Sequence, residues 1–258
     1  MHLTLSLHSM AGHNKWSKIK RQKAATDAKK SKAWARITRD IMVAAREGGG
    51  DAGMNPKLAL AIDKAKAENM PKDNVERAIK RGTGEIAGAD YEEMTYEGYG
   101  PHGIAVYVET LTDNTNRTVS EVRHAFSKAG GNLGTSGSVA FQFDRKGILE
   151  VPAEGNEEDD LFLLVADAGA EDLRREDDVF VVTTPPEEFA AVRDALEAEG
   201  LAPTDDSGLQ MIASTTTKLA PDEAAKVLKL LDRLEDLDDV QAVYSTLDMD
   251  DETMAALA

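Results

Sequence analysis

Cysteine is absent from the 258 residues. That excludes disulfides and thiolate chemistry and suits a reducing compartment. Without it a zinc site would rest on His and carboxylates, yet the five histidines, His2, His8, His13, His102 and His124, show no HExxH or other ligand spacing. No apolar run approaches the roughly 20 residues that span a bilayer, so no membrane association is expected. Positive charge is scarce over the whole chain: 30 Lys and Arg face 47 Asp and Glu, for a formal net charge of −17. The familiar enzyme motifs are missing too. There is no GxxxxGK[ST], and GTSGS around Ser136 is not GxSxG. GYGPHG, from Gly98 to Gly103, matches GxGxxG in letters but precedes a strand rather than the helix a dinucleotide fingerprint needs, so its glycines read as turn residues. Asp113 and His124 have no nucleophile beside them. The carboxylate runs 157–160, 176–178 and 248–252 lack EF-hand spacing, Thr253 standing where glycine is required, and they read as solvated surface. No catalytic constellation, cofactor, metal or small-molecule substrate is expected, and the chain does not read as an enzyme.

What positive charge there is lies near the front. Residues 10–82 hold 18 Lys and Arg against 8 Asp and Glu, and the remainder holds 12 against 39. Such segregation points to an anionic partner for one end. The stretch 13–23 interleaves His13, Lys15, Lys18, Lys20, Arg21 and Lys23 with Trp16 and Ile19; Trp16 is either a core anchor or a base-stacking side chain. Residues 29–47 contain neither Gly nor Pro. Trp34, Ile37, Ile41 and Ala45 form one stripe of the helix this predicts, and Lys29, Lys32, Arg36 and Arg39 form another nearly opposite, expected to face outward. Asn55-Pro56 opens a second helix and Pro71 a third, whose end is crowded by Arg77, Lys80 and Arg81 before Gly82. Lys and Arg contacts to phosphates provide affinity without sequence information. The predicted bundle therefore implies nucleic acid, and not which one.

The rest of the chain reads as α+β. Strands are predicted at 104–111, 139–143, 147–151, near Asp172, at 179–184, 209–213 and 240–245, with helices over 117–129, 161–168, 187–199 and 222–234. The order from Gly147 to Ala213 is βαββαβ, the ferredoxin-like pattern. Residues 111–141 offer a second candidate contact: Asn114, Asn116, Arg117, Arg123 and Lys128 on or near a helix, then Asn132, Ser136 and Ser138 in a loop of small residues. Backbone N–H groups of such a loop can approach an anion; a helix cap and polar turn explain the same composition.

Four blocks, AGHNKWSKIKRQKAATDAKKSKAW, MPKDNVERAIKRGTGE, YEGYGPHGIAVYVETLTDNTNRT and FSKAGGNLGTSGSVAF, together resemble the YebC/PmpR family, related to the mitochondrial translational activator of cytochrome c oxidase. The resemblance runs in order from Met10 to about Ser245. It implies a multidomain α and α+β protein: an N-terminal basic helical bundle, then two α+β domains, the third ferredoxin-like and inserted in the second. The expected boundaries are 10–84 for the bundle, 90–145 plus 214–247 for the second domain and 146–213 for the insertion. Residues 1–9 are expected to be a disordered extension or an upstream start, with Met10 the natural beginning, and 248–258 an acidic tail. For function the resemblance implies a cytoplasmic DNA-binding transcriptional regulator, or alternatively a ribosome-associated translation factor that binds ribosomal RNA and eases elongation through sequences such as proline runs.

Overall fold

The segment without glycine or proline forms most of α1 (Asp27–Gly48). The computed structural model describes residues 27–88, 90–204, 207–249 and 253–254. Ile37, Ile41, Ala44 and Ala45 make the buried face of α1 at helical spacing. Trp34, partly buried beside them, donates its indole Nε1 to the Glu68 carbonyl at 2.9 Å. Asn55 couples this helix to the next. Its Oδ1 accepts from the Leu58 N–H at 3.1 Å, capping α2 (Pro56–Ala67), while its Nδ2 donates to the Ala44 and Gly49 carbonyls at the end of α1. α3 (Lys72–Gly82) lies close against α1 at Gly82, where a Cβ would lie 2.3 Å from the Met42 carbonyl oxygen. Any larger residue there would force the two helices apart.

β1 (Glu92–Tyr99) and β2 (Ala105–Thr112) pair antiparallel, from Glu92 opposite Thr112 to Tyr99 opposite Ala105. α4 (Thr115–Lys128) follows under an Asn114 cap, and β3 (Asn132–Leu133) pairs with the end of β1. The alternation Val139, Phe141, Phe143 predicts a strand over 139–143, which the structure corrects. The backbone makes a 3-10 turn over Ala140–Gln142 and enters β4 (Phe143–Pro152) only afterwards. The cause is local: the Val139 and Ala140 N–H groups donate to the Glu97 carboxylate instead of to a neighbouring strand.

The chain divides into two compact units, residues Phe143–Ser214 and the chain on either side of them. From Phe143 onward β4 is followed by α5 (Glu158–Asp167), β5 (Asp172–Glu176), β6 (Val179–Thr184), α6 (Phe189–Ala198) and β7 (Gly208–Ala213). The strands pair antiparallel in the order β5-β6-β4-β7, which is the βαββαβ ferredoxin-like arrangement. Leu161 and Val165 of α5, and Phe189, Val192 and Leu196 of α6, are its buried helical residues at helical spacing.

β8 (Thr217–Lys218), α7 (Pro221–Glu235), β9 (Val240–Ser245) and β10 (Leu247–Asp248) return to the first unit. β9 pairs with β2, giving the sheet order β3-β1-β2-β9, and β10 pairs parallel with β8. Leu230, Leu231 and Leu234 of α7 and Val122 and Phe126 of α4 pack with Val106, Val108 and Val243 of this sheet; each such side chain contributes roughly 1.5–3 kcal/mol on burial. The acidic tail expected from 248 is also corrected. Asp248 lies in β10, and Met249 and Met254 are buried in the same core. In the sequence, the run of Asp and Glu conceals these two methionines, flexible apolar side chains that suit a core.

Candidate nucleic-acid interface

Of the residues expected to meet a polyanion, His13, Lys15, Trp16, Lys18, Lys20, Arg21 and Lys23 lie outside the described residues, as does the side chain of Lys29 in α1. The expectation that the α1 cations face outward is corrected for Lys32, Arg36 and Arg39. Lys32 Nζ donates to the Asp236 carbonyl, Arg36 Nη2 to that of Glu235 and Arg39 Nη2 to that of Asp238. Lys32 Nζ also stands 3.7 Å from the Asp236 carboxylate. These carbonyls lie at and just beyond the C-terminal end of α7, where helical carbonyls lack intrahelical partners and the helix dipole is negative. Burial lowers the proton affinity of Arg36, with Glu235 opposing, and burial followed by the neighbouring Arg36 charge lowers that of Lys32. Three cations on one helix face thus fasten α1 to α7.

Of the cations expected at the interface from the bundle, those left in solvent among the described residues are on α3. Arg77, Lys80 and Arg81 are exposed and pair with no carboxylate among the described residues. Arg81 lines a groove with Arg39, Ala35, Thr38, Met42 and Tyr91, which extends its positive charge toward α1.

On α4 the expected contact residues separate into two groups. Arg117 is held by Asp239, with Nη2–Oδ2 at 2.8 Å and Nε–Oδ2 at 3.2 Å, and by Asp113 at 2.9 Å. Buried Asp239 also accepts from Thr118 Oγ1 at 2.7 Å and Thr112 Oγ1 at 3.1 Å. Burial pushes the Asp239 carboxyl up, but the Thr118, Arg117 and Thr112 donors outweigh it and hold the carboxyl below its ordinary range. The Asp239 and Asp113 hydrogen bonds raise the Arg117 guanidinium further. Arg117 is therefore a brace, and Asn114, whose Oδ1 accepts from the Arg117 N–H at 3.1 Å, is the helix cap. Asn116, Arg123, Lys128, Asn132 and Ser136 remain exposed.

The loop after β3 does surround an anion, but the protein supplies it. Glu97, only 4% exposed, accepts from the Gly137, Val139 and Ala140 N–H groups, each at 2.7 Å. Burial pushes this carboxyl up and the three donors more than reverse it, leaving it below the usual carboxylate range. Tyr99 braces the same loop: its hydroxyl donates to the Ser138 carbonyl at 3.0 Å and accepts from Gln142 Nε2 at 3.3 Å. Ser138 is half-buried, its Oγ without a partner. At the end of the loop Phe141 stands 75% exposed. Sequence reasoning misses Glu97, Tyr99 and Phe141. The one available signal, an acid one residue from a Gly-Tyr-Gly turn, is indistinguishable from surface charge until the loop folds over it.

Two family models match the chain: that of the TACO1/YebC N-terminal domain over residues 14–85 and that of the TACO1/YebC second and third domain over 91–247. A protein of Acidithiobacillus ferrooxidans named "Probable transcriptional regulatory protein" is 53% identical over 248 residues, covering 96% of this chain and 98% of its own. One of the same name from Nitrosococcus oceani is 53% identical over 249 residues, covering 96% and 100%. The crystal structure of a conserved hypothetical protein from Aquifex aeolicus is similar at a TM-score of 0.80 and 44% identity, covering 87% of this chain and 93% of that one.

Proposed function

The chain belongs to the TACO1/YebC family, and from that premise we propose that it is a cytoplasmic nucleic-acid-binding regulator of gene expression, acting as a DNA-binding transcriptional regulator through its basic N-terminal bundle. The observation that carries this reading is the charge segregation, 18 Lys and Arg against 8 Asp and Glu over residues 10–82 of a chain with net charge −17. The unpaired cations of α3, Arg77, Lys80 and Arg81, give it a surface, continuous with the groove that Arg81 and Arg39 share. The names of the relatives support the transcriptional role. In this reading Lys32, Arg36 and Arg39 position the bundle, and the phosphate contacts fall to α3 and to the Lys-rich segment before α1. The bundle, the α+β domain and the inserted ferredoxin-like domain are three domains of one regulator.

The salt dependence of binding to duplex DNA tests the surface. Replacing Arg77, Lys80 and Arg81 with Ala should weaken binding, and the slope of log K against log salt should fall by about 0.9 for each phosphate that the variant no longer neutralises. An unchanged slope would remove α3 from the interface. One observation favours a second reading, a ribosome-associated factor: a loop ending in an exposed aromatic suits unpaired RNA bases better than a closed duplex. Crosslinking in cells with sequencing of the bound nucleic acid, beside sedimentation with ribosomes, separates the two. Promoter DNA without ribosomal RNA supports transcription, and the converse supports translation.

A further inference from the structure

Phe141 is an aromatic ring left in solvent on a loop that is otherwise firmly held. The residue before it, Ala140, gives its N–H to the Glu97 carboxylate at 2.7 Å. The residue after it, Gln142, donates its N–H to the Val139 carbonyl at 2.9 Å and its Nε2 to the Tyr99 hydroxyl at 3.3 Å. Both neighbours are thus pinned and the ring is presented at a set position, so little backbone freedom is lost when something binds to it. Burying a phenylalanine is favourable, and Val139 and Phe143 on either side are buried. Phe141 forgoes that gain.

The chemistry around the ring selects its occupant. Residues 130–142 contain no Asp or Glu in a chain of net charge −17; Glu97, which approaches the loop, is buried and satisfied by three backbone donors, and exposed Asp144, just beyond it, accepts from Ser214 Oγ at 2.9 Å. Exposed Asn132, Thr135 and Ser136 supply neutral donors and acceptors, and exposed Lys128 closes the helix leading into the loop. Phe162 and Leu163 of α5 are the contrast: they are exposed too, but share the start of the helix with Glu158, Asp159 and Asp160, which repel a polyanion. A protein hot spot is ordinarily a cluster of apolar side chains. An exposed ring among neutral hydrogen-bonding groups, the hydroxyl of the likewise exposed Tyr99 included, is what an unpaired nucleobase requires, because every base has a face that stacks.

We infer that Phe141 is a stacking platform for an unpaired nucleobase of a single-stranded nucleic acid. This rests on the nucleic-acid reading above and narrows it to one residue and one kind of contact. The test uses the full chain and a short single-stranded oligonucleotide carrying 2-aminopurine, whose fluorescence is quenched when the base stacks. Phe141→Ala should weaken binding of this probe about tenfold, the loss of one base–aromatic stack, and abolish the quench. Phe141→Trp should keep both. Duplex binding and the melting temperature should be unchanged in both variants. If wild-type protein binds the probe and Phe141→Ala binds and quenches it equally, the platform is wrong and the nucleic-acid reading stands. An equal loss of duplex binding would also overturn stacking on an unpaired base. If wild-type protein binds neither probe nor duplex, both readings fail.

Discussion

Asp40 lies on α1 close to Arg39, Lys64, Lys57 and Glu93, and burial is the main reason its carboxyl is pushed up to about 6 from an ordinary value of 3.8. The three cations oppose the shift and Glu93 adds to it. The folded protein therefore holds this proton more tightly than the unfolded chain. The stabilisation is complete below the unfolded value and is lost as pH rises through the folded one. Near neutral pH this partly buried charge costs at most roughly 3 kcal/mol. Asp40→Asn, which cannot ionise, should raise stability at pH 7.5 and make little difference at pH 4, as read by denaturant unfolding of both proteins at both values. Equal stability of the two at pH 7.5 would refute it. Residues with nearby partners were legible in the sequence: Trp34 as a core residue, Asn55 and Pro56 as a cap and first turn. Arg36 and Arg117 were not, because their partners Glu235 and Asp239 lie 199 and 122 residues further on.

Elements are where helical geometry and tertiary contact part company. The helical wheel places the α1 cations opposite its apolar stripe, and the structure keeps that separation. What the wheel does not contain is α7, whose end carbonyls occupy the face assigned to solvent. Cations at a helix C-terminus contribute about 0.3–1 kcal/mol each when exposed and up to about 2 when partly buried. Replacing both Arg36 and Arg39 with Ala should therefore destabilise the protein by about 2 kcal/mol. It should also speed amide exchange in residues 235–240 before the ferredoxin-like unit is affected. Unaltered exchange there would mean that α1 does not hold the end of α7. The strand predicted over 139–143 fails for a similar reason. Alternation is a local signal, and Glu97, from another strand, takes the N–H groups that a ladder would use.

At the scale of the whole molecule, the ends of the Phe143–Ser214 unit meet: Phe143 is the register partner of Ala213, and Ser214 Oγ bonds Asp144 Oδ2 at 2.9 Å. Paired strands sit about 5 Å apart, so a short linker can replace the unit. Residues 143–214 expressed alone should unfold cooperatively, and the remainder, with Gln142 joined to Thr215 through a few Gly and Ser, should keep its own melting transition by circular dichroism. Loss of both transitions would show that neither unit is stable by itself. The sequence by itself determined the helices, the βαββαβ order of the inserted unit, the Asn55 cap, the basic front and acidic body, and the family, because periodicity, turn chemistry and charge are properties of neighbouring residues; it did not mark β1 (Glu92–Tyr99), the strand that carries Glu97. Only the tertiary structure decided which cations are free, that the glycine-rich loop closes on an internal carboxylate, that the acidic end returns to the core and that Phe141 stays in solvent. Each of those outcomes depends on a group brought from far along the chain, and hydrogen bonding and burial act between whatever atoms the fold makes adjacent.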